Sequence, residues 1–157
     1  MKIFGLHPFV ALGAAFLMSG CSSPPKPPMP TLVVGSIQAS AQINPSVSGR
    51  PSPLLLRVYE LKTAASFNAA DFMSLYQRDQ AELGAGLVGK EEYTLEPGET
   101  KSFTKTLSPD TRFLGVVAAY RDLEHAKWRS IVAVQLEQTQ HVTIRAGALA
   151  VEATVGK

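Results

Sequence analysis

The chain has 157 residues, of which 45% are hydrophobic and 18% charged, a size and balance that suit one domain with a real core, whereas two would each be marginal. Its formal net charge is +2, and removal of residues 1–20 takes away one cation, Lys2, and no acid, so the mature protein is nearly neutral. Its cations are spread singly rather than clustered, which excludes a nucleic-acid partner, and its single cysteine excludes an internal disulfide or a multi-thiolate zinc site.

The N-terminal segment accounts for that cysteine. A cationic start at Lys2 is followed by the apolar stretch Phe9 to Met18, too short and too abruptly ended to span a bilayer as a stable helix, so residues 1–20 read as a secretion signal. The stretch closes on Leu17-Met18-Ser19-Gly20-Cys21, which resembles the bacterial lipobox: small residues admit the peptidase, and the Cys21 thiol is acylated before cleavage. Ser22, by resemblance to the enterobacterial sorting rule, directs such a lipoprotein to the outer membrane. Several acyl chains on one residue make the anchorage stable where a single chain gives marginal binding. Residues 21–30 then form a tether: five of the 11 prolines fall between Ser22 and Pro30, and a run lacking so many amide donors is expected to be extended and polyproline-like.

Residues 31–157 are patterned as the domain. Leu32 to Ile43 alternates as a half-buried strand. The run Asn44 to Pro53 breaks it and is longer than a hairpin needs, so it is expected to protrude. Leu54 to Lys62 is apolar on both faces, as a central strand would be. Phe67 to Gln77 reads as the single helix, with Asn68 as cap, Asp71 three residues on, Phe67 and Phe72 as a staple, and Ala69, Phe72, Met73 and Tyr76 as one apolar stripe packed against a sheet. Glu91 to Leu95 and Lys101 to Leu107, joined by Glu96-Pro97-Gly98-Glu99, read as a hairpin with a type II turn. Arg112 to Tyr120, Ser130 to Glu137, Val142 to Ala146 and Leu149 to Val155 complete the strands, and seven or eight short strands with one inserted α-helix imply a mainly β, two-sheet sandwich.

Two motifs invite a chemical reading. Gly84-Ala85-Gly86-Leu87-Val88-Gly89-Lys90 matches a dinucleotide glycine pattern, but that chemistry needs a strand before and a helix after so that amides converge on phosphate. Here the expected helix comes first, and a flexible loop is the simpler reading. Asp122, Glu124 and His125 could be assembled into a metal or acid–base site, yet the only other mature histidine is His141, and a polar turn between two core strands accounts for them. No Gly-x-Ser-x-Gly elbow occurs and the thiol is assigned to lipid, so no nucleophile, metal or cofactor is expected and the chain reads as a non-enzyme. Trp128 is expected to pack rather than to form a sugar platform.

The landmarks Asn44-Pro45, Gly49-Arg50-Pro51-Ser52-Pro53 and Leu55 to Leu61, followed by Phe67, Ala70-Asp71-Phe72, Pro97-Gly98, Leu114-Gly115-Val116, Ala119 to Asp122 and Trp128-Arg129, resemble the TssJ (SciN) lipoprotein family of type VI secretion. The resemblance implies a transthyretin-like β-sandwich with an added helix, anchored in the outer membrane and facing the periplasm. It implies binding to the periplasmic C-terminal region of the inner-membrane protein TssM, with no small-molecule substrate. The family's contact loop falls here on Pro45, Ser46, Val47, Ser48, Gly49, Arg50, Pro51 and Ser52. The competing class is a periplasmic ligand- or glycan-binding lipoprotein, which would need an aromatic-lined pocket that the pattern gives little means to build.

Overall fold

The structure, a computed structural model, describes residues 26–156; the signal segment and Cys21 lie outside the described residues. The chain forms eight strands, most of them alternating between buried and open positions and β5 apolar throughout: β1 (Thr31–Ala39), β2 (Leu54–Leu61), β3 (Leu87–Leu95), β4 (Thr100–Leu107), β5 (Phe113–Ala118), β6 (Arg129–Ala133), β7 (Thr139–Ala146) and β8 (Val151–Gly156). They assemble into two four-stranded sheets, ordered β4-β1-β7-β8 and β3-β2-β5-β6, the transthyretin-like sandwich that the resemblance implies. β1 and β7 pair in parallel, from Leu32 beside Thr139 to Ala39 beside Ala146, and the other strand pairs are antiparallel.

Period-two burial makes the sheets face each other. Val33 and Ile37 of β1, Leu54, Leu56 and Val58 of β2, and Val142 and Ile144 of β7 share one core with Leu95, Leu114 and Val116. β2 is an interior strand, as its two apolar faces suggested. Its Tyr59 and Leu61, with Val117 of β5, turn away from the sandwich into a second core with Phe67, Ala70, Leu75 and Leu83. The result is three layers: sheet, sheet and helices. β1 ends at Ala39 rather than running to Ile43, although Ile43 is still fully buried in the first core.

The helical segment departs from expectation in its register. It is two helices, α1 (Ala65–Ala69) and α2 (Phe72–Leu83), because Ala70 is extended at φ −70°, ψ 146°. Asn68 caps neither. Asp71 caps α2, its carboxylate accepting from the Ser74 N–H at 2.9 Å and the Ser74 hydroxyl at 2.8 Å, a charge-assisted pair that a neutral amide does not match. Starting the long helix there rotates its buried face to Leu75, Asp79 and Leu83, at i, i+4 and i+8. Ala69, Met73 and Tyr76 of the expected stripe are exposed and Phe72 is half-buried. Asp79 is tolerated on the inner face because Lys90 Nζ lies 2.7 Å from its carboxylate and the Tyr59 hydroxyl donates to it at 3.2 Å.

The expected hairpin between β3 and β4 does not form. Its turn does: Gly98 is at φ +77° and the Glu99 N–H donates to the Glu96 carbonyl at 3.0 Å, as a Pro-Gly type II turn requires. But β3 pairs with β2 and β4 pairs with β1, so the turn is a corner between sheets. Backbone partners on the β1 side decide the outcome, since the Gly98 N–H donates to the Ser40 carbonyl at 3.1 Å and the Ala39 N–H to the Glu99 carbonyl at 2.8 Å. Lys105 of β4 still reaches the other sheet, 2.7 Å from both Glu60 and Glu91. Nor is Gly84 to Gly89 a flexible loop: Gly84–Gly86 is a 3-10 turn and Leu87 to Gly89 already belong to β3.

Candidate functional site

The register brings the β1–β2 connection (residues 40–53), the β5–β6 connection (residues 119–128) and the β7–β8 turn (residues 147–150) to one end of the sandwich. Asn44 holds the three together. It is 3% exposed and lies at φ +48°, a left-handed conformation that asparagine tolerates better than most residues. Its N–H donates to the Ala148 carbonyl at 3.1 Å, its Nδ2 to the Pro53 carbonyl at 2.7 Å, and its Oδ1 accepts from the Arg121 N–H at 2.8 Å.

On this base stands the segment Pro45 to Ser52, closed by its own hydrogen bonds. The Ser46 N–H donates to the Arg50 carbonyl and the Gly49 N–H to the Ser46 carbonyl, both at 2.8 Å, and the Arg50 N–H donates to Ser46 Oγ at 3.2 Å. The Ser52 N–H, donating to the Ile43 carbonyl at 3.1 Å, seals the neck. Gly49 sits at φ +78° with open space where a Cβ would be, so backbone conformation and not crowding requires glycine there.

Of the eight residues that the resemblance marks, Val47, Ser48, Gly49 and Arg50 are exposed at the tip, while Pro45, Ser46 and Pro51 are half-buried. Ser52 is 4% exposed and its hydroxyl turns back to the Arg50 carbonyl at 3.4 Å, so its side chain serves the base of the loop. Val47 is apolar and fully exposed. Beside the tip an open groove of about 880 Å³ is lined by Pro45, Ser46, Val47, Arg121, Asp122 and Leu149. On its far side Asp122 lies 2.8 Å from His125 Nδ1, and that hydrogen bond, helped by the His125 N–H, holds the Asp122 carboxyl below the usual carboxylate range. Burial pushes the Tyr120 phenol well up, and its hydroxyl donates to the Gly147 carbonyl at 3.2 Å.

Asn44 as the organiser, and Arg121 with Leu149 as the opposite wall, are the parts that sequence reasoning missed. The available signal for Asn44 was an Asn-Pro step at a strand end; nothing local pointed to the others. Asp122, Glu124 and His125 lie in the β5–β6 connection, where Asp122 and His125 pair with each other; among the described residues no three His, Cys, Asp or Glu groups lie together. Trp128 is half-buried, edge-on to Phe72 at 5.4 Å, and packs against both cores. No helix among the described residues is long and apolar enough to cross a membrane.

Comparison with solved structures finds TssJ1, a type VI secretion lipoprotein from Pseudomonas aeruginosa, similar at 42% identity and a TM-score of 0.79, over 82% of this chain and 98% of that one. Lip from Serratia marcescens, described as a membrane-bound component of the type VI secretion system, is similar at 26% identity and a TM-score of 0.74, over 80% of this chain and 98% of that one. A chain in the structure described as the TssM C-terminal domain from EAEC shares the fold at 22% identity and a TM-score of 0.65, again over 80% and 98%. No curated protein matches. The family model for type VI secretion lipoproteins (VasD, EvfM, TssJ) matches residues 31–149, and with the sandwich and its landmarks in place the chain belongs to that family.

Proposed function

We propose that this chain is an outer-membrane anchor of the type VI secretion envelope complex, held by lipid on Cys21 and binding the periplasmic C-terminal region of TssM through Pro45 to Ser52. Residues 1–20 are the removed signal, residues 21–30 the lipidated tether, and residues 31–157 the periplasmic domain. The observation that carries the reading is Val47, fully exposed at the tip of a loop that is already closed by its own hydrogen bonds. A loop so ordered loses little conformational entropy on docking. An apolar tip beside Arg50 suits a partner site that combines a small apolar pocket with a carboxylate, carbonyl or aromatic face for the guanidinium. A chain of this fold in a structure described as the TssM C-terminal domain supports the choice of partner.

Fractionation of the envelope followed by pull-down tests the reading. The lipidated protein is expected in the outer-membrane fraction and to recover TssM. Cys21→Ser is expected to give a folded protein released from the membrane. Retention of that variant in the outer membrane, or recovery of the wild-type protein without TssM, contradicts the proposal.

A further inference from the structure

The end of the sandwich opposite the loop carries a surface of a different kind. The chain enters the fold there at Thr31, and the register puts Leu107, Thr139 and Gly156 at the same end, with the β6–β7 connection that contains Leu136. Met29, 59% exposed, and Leu136, 38% exposed, flank a groove of about 320 Å³ whose lining includes Pro28, Pro30, Leu107 and Pro109, with Glu137 its one charged residue. The exposed apolar side chains at this end gather beside the tether, with a single charge in the groove between them, as on a face that meets an apolar partner. The prolines matter for what the contact is: Pro27, Pro28 and Pro30 carry no N–H, so this segment presents few backbone donors to be stripped of water.

The position of the face relative to Cys21 selects the partner. Eight peptide steps separate Cys21 from Met29, so even a fully extended chain keeps the Met29 Cα within about 29 Å of the Cys21 Cα. A face tethered at that range meets the lipid surface at an effective concentration on the order of millimolar, enough for a weak apolar contact to be populated. The loop Pro45 to Ser52 lies beyond the other end of β1, nine residues long, or about 30 Å farther along the strand. We infer that the face formed by Met29, Leu136 and the flanking prolines seats on the bilayer leaflet holding the Cys21 lipid, standing the domain so that its loop points away from the membrane. The inference rests on the lipidation of Cys21 proposed above.

The test uses the full lipidated mature protein in vesicles of phosphatidylethanolamine and phosphatidylglycerol. Because acylated Cys21 has no free thiol, an environment-sensitive fluorophore can be placed singly through Leu136→Cys or, at the opposite end, through Val47→Cys. The Leu136→Cys probe is expected to shift to the blue and to be quenched about twofold by lipids brominated near the headgroup, as a group seated ~5–10 Å into the interface would be. Met29→Asp in that background is expected to reduce the quenching, and the Val47→Cys probe to stay aqueous. Vesicle-bound protein with an unquenched Leu136→Cys probe, or with Val47→Cys equally quenched, overturns the seating while leaving the lipid anchor intact. Protein that does not float with the vesicles overturns both the seating and the anchor.

Discussion

At Asn44 one side chain holds Pro53 and Arg121 while its own backbone lies at φ +48°, so substitutions can separate hydrogen bonding from backbone strain. Asn44→Ala removes both side-chain bonds and leaves their partners to find water, a loss of about 1–3 kcal/mol, and adds a left-handed penalty of about 1 kcal/mol. Asn44→Gly removes the bonds but relieves the backbone. Urea denaturation should therefore rank wild type above Asn44→Gly and Asn44→Gly above Asn44→Ala; equal stability of the two variants would contradict the strain. A second residue-scale prediction concerns pH. Burial opposes the charge of Asp79, but the Lys90 hydrogen bond and charge, the Gln80 N–H and the Tyr59 hydroxyl outweigh it and set its pKa below the ordinary 3.8. A carboxyl depressed by folding stabilises above its unfolded pKa, and that contribution is lost as pH falls through the folded value. Asp79→Asn should be less stable than wild type by about 1–3 kcal/mol at neutral pH, and the gap should close as pH falls through and below the ordinary carboxylate range. A gap independent of pH in denaturant titrations would mean that the charge of Asp79 contributes nothing.

Elements here are positioned by close approaches as much as by periodicity. Phe67 of α1 lies over Gly115 of β5, where an added Cβ would stand 2.8 Å from the ring and 3.0 Å from Leu61 Cδ1. Gly115→Ala should destabilise by about 1–3 kcal/mol through this overpacking, and Phe67→Leu in the same chain should recover part of it, giving non-additive denaturation midpoints. Simple additivity would place the strain elsewhere. These contacts also explain what could be read from the sequence. Alternation was legible in strands such as β1 and β7, where one face is fixed by the core, and β2 could be recognised as interior from apolar residues on both faces. The helix start was not, because Asn68 and Asp71 are both acceptable caps and only the Ser74 donors distinguish them. The β3–β4 corner was misread as a hairpin for a similar reason. Glu96-Pro97-Gly98-Glu99 makes the same turn in either case, and what differs is the pairing of each strand with β2 or β1, residues far away in sequence.

On the scale of the whole molecule, the tether and the loop occupy opposite ends of the sandwich. Residues 26–30 are exposed and form no regular structure, whereas Thr31 is buried and its hydroxyl accepts from the Glu137 N–H at 2.9 Å. A chain beginning at Thr31 should therefore unfold in one cooperative transition with nearly the midpoint of the longer mature chain; a broad or absent transition would show that the tether belongs to the fold. Protrusion of the loop was legible from its length, greater than a hairpin needs. Its base was not, since Asn44, Arg121 and Ala148 meet only in the folded chain. Binding by that loop is the central claim, and calorimetry with the purified periplasmic region of TssM tests it most directly. Replacing Val47 to Arg50 by a short Gly-Ser linker leaves Ile43, Asn44 and Ser52 at the base, so the thermal melt should be almost unchanged. TssM affinity should fall at least about tenfold, or about 1.4 kcal/mol; undiminished affinity in a variant that melts normally would contradict the account.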